Sequence, residues 1–219
     1  GELSFTESGM QASGVSAEIL GGTANIDVQT AAGGVVHATA RGRSNLDVLR
    51  RINPHPLLDY LRGGSAWNAD ISVVKKSVQL TINSSLRGIS SDLPQPFVKR
   101  ADETMPLRLE TKPVPSPSTS SGQAPRGGVA GNVTDGQDVI TVQLGKLLSA
   151  RLVRRDENGA MVIKRGVVNF GGQSNSRNEG NSGNKRKRPE KEGVWLTGTL
   201  PALSLQGWGD LFGAADSTN

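Results

Sequence analysis

The sequence predicts a mainly β protein, built as a long antiparallel, strongly twisted and curved sheet, a meander shaped like a groove and capped by a few short helices. Apolar and polar residues alternate with a period of two along most of the chain. Short breaks rich in glycine separate these segments, and breaks this short can join only antiparallel neighbours. The 28 glycines among 219 residues also permit strong twist and curvature.

The first part of the chain has the pattern of four successive strands. In the second strand Val15, Ala17 and Ile19 alternate with polar residues, which gives the strand one apolar face and one face toward water. Glycine pairs lie between the later strands and predict tight turns. The predicted strands are Leu3 to Thr6, Met10 to Leu20, Thr23 to Thr30 and Val35 to Arg43.

The period changes to three or four between residues 45 and 61. Leu46 and Leu49 have the spacing of one helix face, and either Ser44 or Asn45 can act as the N-cap. Two prolines interrupt the middle of the segment. We therefore expect one or two short helices here, at one end of the sheet.

Alternation resumes in residues 65–75 and again in 78–86, which predicts a hairpin. Residues 93–97 contain two prolines, which cannot donate to a central ladder, so they are expected to form an extended connection. The alternation then restarts through Leu107 and Leu109.

Composition divides the chain into three parts. Pro, Ser and Gly dominate two stretches that contain few large apolar side chains, so these stretches are expected to be flexible. The predicted organisation is residues 1–112 as a β-meander with short helices near 45–61, 113–137 as a flexible insertion, and 138–219 as a continuation of the same sheet, with a disordered basic loop at 171–193 and a short helix at 205–212.

The residue inventory argues against catalysis. There is no cysteine, which excludes disulfides, thiolate nucleophiles and cysteine-based zinc sites. His37 and His55 are the only histidines, and neither has carboxylates at ligand spacing nearby. The carboxylate pairs lie in predicted turns, where acidic residues are common without any acid–base role. We expect no enzymatic activity, no catalytic residue, no cofactor and no metal.

The basic run Lys185–Arg188 accounts for much of the net charge of +5. Clustered Lys and Arg can bind phosphates, but single-strand binders interleave such charges with aromatic side chains, and none lies nearby. We therefore expect a solvated loop, and no nucleic-acid partner.

The apolar positions of the alternating segments form the candidate site. They can line an open apolar groove, or they can form the inside of a closed sandwich or barrel, which is the commoner arrangement in alternating β proteins. The candidates are Val15, Ala17, Ile19, Ile26, Val28, Trp67, Ile71, Val73, Leu80, Ile82, Leu107, Leu109, Ile140 and Val142.

Several short segments follow one another in an order that is shared with a known family. They are Leu3–Met10, Ile19–Gly22, Gly63–Trp67, Ser84–Gly88, Leu93–Lys99, Met105–Leu107 and Gly198–Leu211. Together they resemble the C-terminal periplasmic part of the YhdP family, in the AsmA-like superfamily of bacterial bridge-like lipid-transfer proteins. The two low-complexity stretches match nothing in that pattern.

The resemblance implies a function and a location. It implies a large protein that is anchored in the inner membrane of a Gram-negative bacterium through a segment absent here, with a periplasmic body that conducts phospholipids toward the outer membrane. The chain begins with Gly1 and not Met, so we expect a piece of such a protein. The implied partners are phospholipid acyl chains and other envelope proteins. A non-catalytic structural or interaction module of the envelope, with a closed β core, is the alternative.

Overall fold

The computed structural model describes residues 2–6, 9–74, 77–115, 134–157, 159–171, 192–200 and 202–209. Most of these residues lie in strands, because the period-two alternation extends over nearly all of them. In chain order the strands are β1 (Glu2–Thr6), β2 (Gly9–Ile19), β3 (Gly22–Ala31), β4 (Val35–Arg43), β5 (Leu61–Gly63), β6 (Ala66–Val74), β7 (Ser77–Ser84), β8 (Ile89–Ser91), β9 (Leu107–Pro115), β10 (Thr134–Leu144), β11 (Leu148–Glu157), β12 (Ala160–Phe170) and β13 (Gly193–Gly198).

One 11-stranded sheet dominates the described residues. Its order is β1-β2-β3-β4-β6-β7-β9-β10-β11-β12-β13, and β5 pairs with β8 in a separate two-stranded sheet. Every neighbouring pair from β1 to β12 is antiparallel. The large sheet is not closed into a barrel. The predicted fold class, a mainly β antiparallel meander with short helices, is confirmed.

The last strand departs from the meander that was expected. β13 pairs with β12 in parallel, with Gly166 opposite Val194 and Val168 opposite Leu196. A parallel neighbour requires a crossover of about a dozen residues or more, and the connection from Phe170 to Gly193 is long enough to supply it. Alternation along a strand is the same in either direction, so it could not distinguish the two pairings.

The helical segment predicted at residues 45–61 forms two short helices. Helix α1 spans Leu46–Ile52, and a 3-10 helix spans Pro56–Tyr60. Asn45 is the N-cap of α1, where its Oδ1 accepts hydrogen bonds from the backbone N–H groups of Asp47 at 3.1 Å and Val48 at 3.3 Å. The interrupting prolines explain why one continuous helix does not form.

A second α-helix, α2, covers residues 205–209, and the rest of the predicted helix at 205–212 lies outside the described residues. Trp208 of α2 packs edge-on against Phe97, with ring centroids 5.6 Å apart. Phe97 packs in the same way against Phe170 of β12, with ring centroids 6.4 Å apart. These aromatic contacts attach both α2 and the proline-containing connection to one end of the sheet.

Strand pairing extends into the first stretch that was predicted to be flexible, 113–137. β9 runs to Pro115 and β10 begins at Thr134, and these two residues are paired. Residues 116–133 and 172–191, which include the basic run, lie outside the described residues. No helix among the described residues has the length and apolar character needed to cross a lipid bilayer.

The best-buried apolar cluster lies on one face of the sheet, on β3, β4 and β6. Small side chains at the centre let neighbouring larger ones close over them. Gly42 has the same role, because a Cβ there would lie 2.8 Å from the Trp67 ring. The cluster consists of Ala24, Ala40, Trp67 and Ala69, with Ile19, Ile26, Leu80 and Ile82 packed against it.

Candidate functional site: an apolar sheet face

The strand register places apolar side chains directly opposite one another across almost the entire sheet. Directly opposed residues share a face, so such a row marks one side of the sheet. We call this side the apolar face and its longest row the central row. The central row runs from β2 to β13 through Val15, Ile26, Ala40, Ala69, Ile82, Leu109, Val142, Ala150, Val168 and Leu196.

Two further rows flank the central row on the apolar face. Thr111, Ser84 and several glycines are the only departures from apolar side chains in them. The first flanking row contains Ala12, Val28, Ala38, Ile71, Leu80, Thr111, Ile140, Leu152, Gly166 and Val194. The second contains Ala17, Ala24, Gly42, Trp67, Ser84, Leu107, Leu144, Leu148, Phe170 and Gly198.

The candidate residues named from the sequence all lie on the apolar face. Most of them belong to the three rows. Ile19 follows Ala17 by two residues on β2, and Val73 lies opposite Val36 and Val78 in a further apolar row. The period-two alternation was therefore sufficient to assign the face of each candidate. Contact of these residues with lipid stays a prediction.

Exposure varies along the apolar face. Ala40, in the buried cluster, is 3% exposed, whereas Val15 and Leu196 toward the two sides of the sheet are 37% and 68% exposed. Val78 at the end of its strand is 51% exposed. The face thus combines a packed centre with accessible apolar surface around it.

The opposite side of the sheet, the polar face, carries mainly polar side chains, with the opposed apolar pairs Val139–Val153 and Val167–Trp195 as exceptions. His37 is exposed on this face, between Gln29 and Ser72. An open depression of about 800 Å³ is lined by residues of both faces, and its lining includes Gly42, Trp67, Ser84 and Leu107 of the second flanking row. Polar side chains that line it are Arg41, Asn68, Asn83, Arg108 and Gln143, which are opposed in register.

Glu110 is the centre of a small ion-pair network on the polar face. Its carboxylate accepts a hydrogen bond from Arg108 Nε at 2.8 Å and lies 3.1 Å from Lys112 Nζ. The hydrogen bonds from Arg108 and Lys112 lower the pKa of Glu110 below its ordinary value. No group of three or more metal-ligating side chains occurs among the described residues.

An ion pair lies on the apolar face, which sequence reasoning missed. Asp138 on β10 is directly opposite Arg154 on β11. Arg154 donates from Nε to Oδ1 of Asp138 at 2.9 Å and from Nη2 to Oδ2 at 2.5 Å. The hydrogen bonds with Asp138 raise the pKa of Arg154. The period-two alternation did indicate this position, because Asp138 is two residues before Ile140 and must share its face.

A buried lysine fixes the connection between β8 and β9. Lys99 is 6% exposed, and its Nζ donates to the carbonyl oxygens of Ile89 at 2.7 Å and Arg100 at 2.9 Å. Its backbone exchanges two hydrogen bonds with Ser91. Burial lowers the pKa of Lys99 by desolvation, despite nearby acidic residues. Lys99 acts as a structural clamp.

The comparisons with known proteins place the chain in a family. A family model described as YhdP protein matches residues 1–219. No curated protein and no solved structure matches the chain. Because the matching family model covers all 219 residues, the chain belongs to the YhdP family, which indicates an AsmA-like protein of the cell envelope.

Proposed function

We propose that this chain is a periplasmic segment of a phospholipid-transport protein that acts between the inner and outer membranes. In this proposal the apolar face shields acyl chains from water while they move. The observation that carries the proposal is the unbroken central row from Val15 to Leu196. Membership of the YhdP family supports an envelope location, and the periplasm and the inner-membrane anchor are parts of the proposal.

The physical basis is the transfer free energy of hydrocarbon. Each methylene that leaves water for an apolar surface gains about 0.8 kcal/mol. A row that continues across many strands lets a lipid remain in contact with apolar side chains as it moves from strand to strand. Because the row contains no charged residue, no position along it imposes a large desolvation cost. Transport of this kind needs no chemical step and no catalytic residue.

A structural or interaction module of the envelope is the second candidate. The observation that favours it is the burial of Ala24, Ala40, Trp67 and Ala69, each 7% exposed or less, within the apolar face. The open sheet favours lipid instead, since the described residues contain no second large sheet that closes over this face. The two candidates differ in whether the purified chain carries lipid.

The test is native mass spectrometry with lipid extraction on the purified 219-residue chain. Val15→Asp places a charge on an exposed part of the central row, and Ser16→Asp places the same charge on the polar face one residue later. Ile82→Asp and Asn83→Asp form a second matched pair near the buried cluster.

We expect stoichiometric phospholipid in the parent and in the polar-face variants, and much less in Val15→Asp at unchanged circular dichroism. Loss of folding in Ile82→Asp alone would indicate that this part of the face is a packed core. Absence of lipid from the parent, under conditions in which membrane lipids are available, would support the structural module and contradict the transport proposal.

A further inference from the structure

The ion pair between Asp138 and Arg154 occupies an unusual position for two charges. It is the only ion pair on the apolar face among the described residues. The side chains are 17% and 27% exposed, so the pair is largely removed from water but remains accessible. A partly accessible ion pair on an otherwise apolar surface could bind a charged group of a ligand.

Apolar residues adjoin the pair on three sides. On the neighbouring strand β9, Pro113 lies opposite Asp138, and on β12, Ile163 lies opposite Arg154. Along the same two strands, the next residues on the apolar face form the opposed pair of Ile140 and Leu152. On the fourth side, toward the strand ends, Gly136 and the exposed Asp156 follow. The pair thus marks the edge at which the apolar face gives way to solvent.

The hydrogen-bonding groups of the pair are only partly used. Arg154 donates to Asp138 from Nε and Nη2, and among the described residues no protein acceptor approaches Nη1. A guanidinium carries five N–H donors, so two donors on Nη1 remain for an anion. Each carboxylate oxygen of Asp138 accepts one of these bonds and has a further lone pair for a donor such as an ammonium group.

The length of the adjacent apolar surface fits one acyl chain. Beyond the ion pair, β10 and β11 present three opposed apolar pairs on this face, ending with Leu144 and Leu148. At a rise of about 3.4 Å per residue, Leu144 lies about 20 Å along β10 from Asp138. An acyl chain spans half of the ~30 Å hydrocarbon core of a bilayer, which is within this length.

We propose that Asp138 and Arg154 form a head-group site for a zwitterionic phospholipid whose head group carries a primary ammonium, with its acyl chains lying along β10 and β11. Arg154 binds the phosphate through Nη1, and Asp138 accepts a hydrogen bond from the ammonium. A choline head group has no N–H for Asp138, and a glycerol head group has no positive charge. This proposal rests on the proposed lipid-holding function of the apolar face.

The test measures which lipids each protein variant binds from one preparation of vesicles. The vesicles contain equal amounts of phosphatidylethanolamine, phosphatidylcholine and phosphatidylglycerol. Lipids bound to the 219-residue chain after separation are quantified by mass spectrometry. The double variant Asp138→Leu with Arg154→Met replaces the ion pair by apolar side chains, an exchange that folded proteins often tolerate. Arg155→Met removes a neighbouring arginine on the polar face and is the matched control.

The parent and Arg155→Met are expected to prefer phosphatidylethanolamine over both other lipids by about tenfold, a preference that the double variant loses while it retains total bound lipid. Equal head-group composition in parent and double variant would overturn the head-group site and leave the transport proposal standing. Absence of any bound lipid from the parent would overturn both proposals.

Discussion

Nζ of Lys99 lies 2.7 Å from the carbonyl oxygen of Ile89 and 2.9 Å from that of Arg100, and the lysine is 6% exposed. These bonds join the connection before β9 to strand β8. Lys99→Met keeps most of the aliphatic volume but leaves both carbonyls without this donor. We expect the free energy of unfolding to fall by about 1–3 kcal/mol, the usual cost of unsatisfied buried groups. Urea unfolding of the parent and of Lys99→Met measures this difference in the free energy of unfolding.

Lys146, an exposed residue in the turn between β10 and β11, provides the control for that variant. Lys146→Met is expected to change the free energy of unfolding by less than about 0.5 kcal/mol. Equal effects of the two substitutions would contradict the clamp assigned to Lys99.

The pKa of Lys99 also predicts an alkaline pH dependence. Burial lowers the pKa in the folded state below its ordinary value of 10.5, so the unfolded chain binds more protons between the two values. Stability contributed by this group therefore rises as the pH increases through that window. Comparison of urea unfolding for the parent and Lys99→Met across this window is the measurement. The parent curve should rise relative to the variant, and parallel curves would contradict the shift.

Glu110 predicts a dependence of the same sign at acidic pH, where stability again rises with pH. Hydrogen bonds from Arg108 and Lys112 lower its pKa in the folded state below 4.5, so its contribution is present above the unfolded value and is lost as the pH falls through the folded one. Glu110→Gln should flatten this part of the stability curve. Glu18→Gln, at an exposed position of β2, is the comparison. Unchanged acid sensitivity in Glu110→Gln would contradict the assignment.

Gly42 allows Trp67 to lie across β4 on the apolar face. A Cβ at this position would lie 2.8 Å from the Trp67 ring and 2.9 Å from the Ala24 Cβ. Gly42→Ala should therefore lower the free energy of unfolding by about 1–3 kcal/mol through overpacking. Gly209→Ala is the control, because nothing lies within 4 Å of a Cβ there. Thermal unfolding of the two variants is the measurement. Similar melting temperatures for Gly42→Ala and Gly209→Ala would show that the buried cluster around Trp67 adjusts to the added methyl group.

Phe97 connects α2 to the sheet through its contacts with Trp208 and Phe170. Phe97→Ala removes both ring contacts, each worth about 0.5–1.5 kcal/mol. We expect faster hydrogen exchange in residues 205–209 while exchange in β2 to β7 is unchanged. The neighbouring Val98, which is 52% exposed, gives the control Val98→Ala. Unaltered exchange in α2 after loss of Phe97 would mean that other contacts hold the helix.

The alternation of residue types allowed the sheet and its two faces to be predicted from the sequence. Strand periodicity assigns each side chain to a face, so Val15 and Val142, far apart in the chain, could be placed on the same side without knowledge of their partners. Ser44 and Asn45 could both be named as candidate caps because their short side chains can reach the first free N–H groups of a helix, and the structure has Asn45 in this role. The face of a strand residue and the cap of a helix both depend only on residues that are close in the sequence.

Long-range pairing could not be predicted in this way. The parallel partnership of β13 depends on how the chain returns after Phe170, which no local pattern encodes. The pairing of β5 with β8 and the burial of Lys99 depend on contacts between segments that are distant in sequence. The ion pair on the apolar face is a local feature by contrast, because Asp138 and Arg154 each lie two residues from an apolar residue of the same face, Ile140 and Leu152.

The register also determines where this chain can change its length. A single residue inserted inside a strand such as β7 would move every following side chain of that strand to the other face unless a β-bulge absorbed it, as the register shifts in β2 and β12 do. Both long low-complexity stretches instead join the end of one strand to the start of the next, between β9 and β10 and between β12 and β13. Additions at those places leave the ladder unchanged, so these connections can lengthen without any change of register, whereas an extra residue inside a strand requires a bulge to keep the rows aligned.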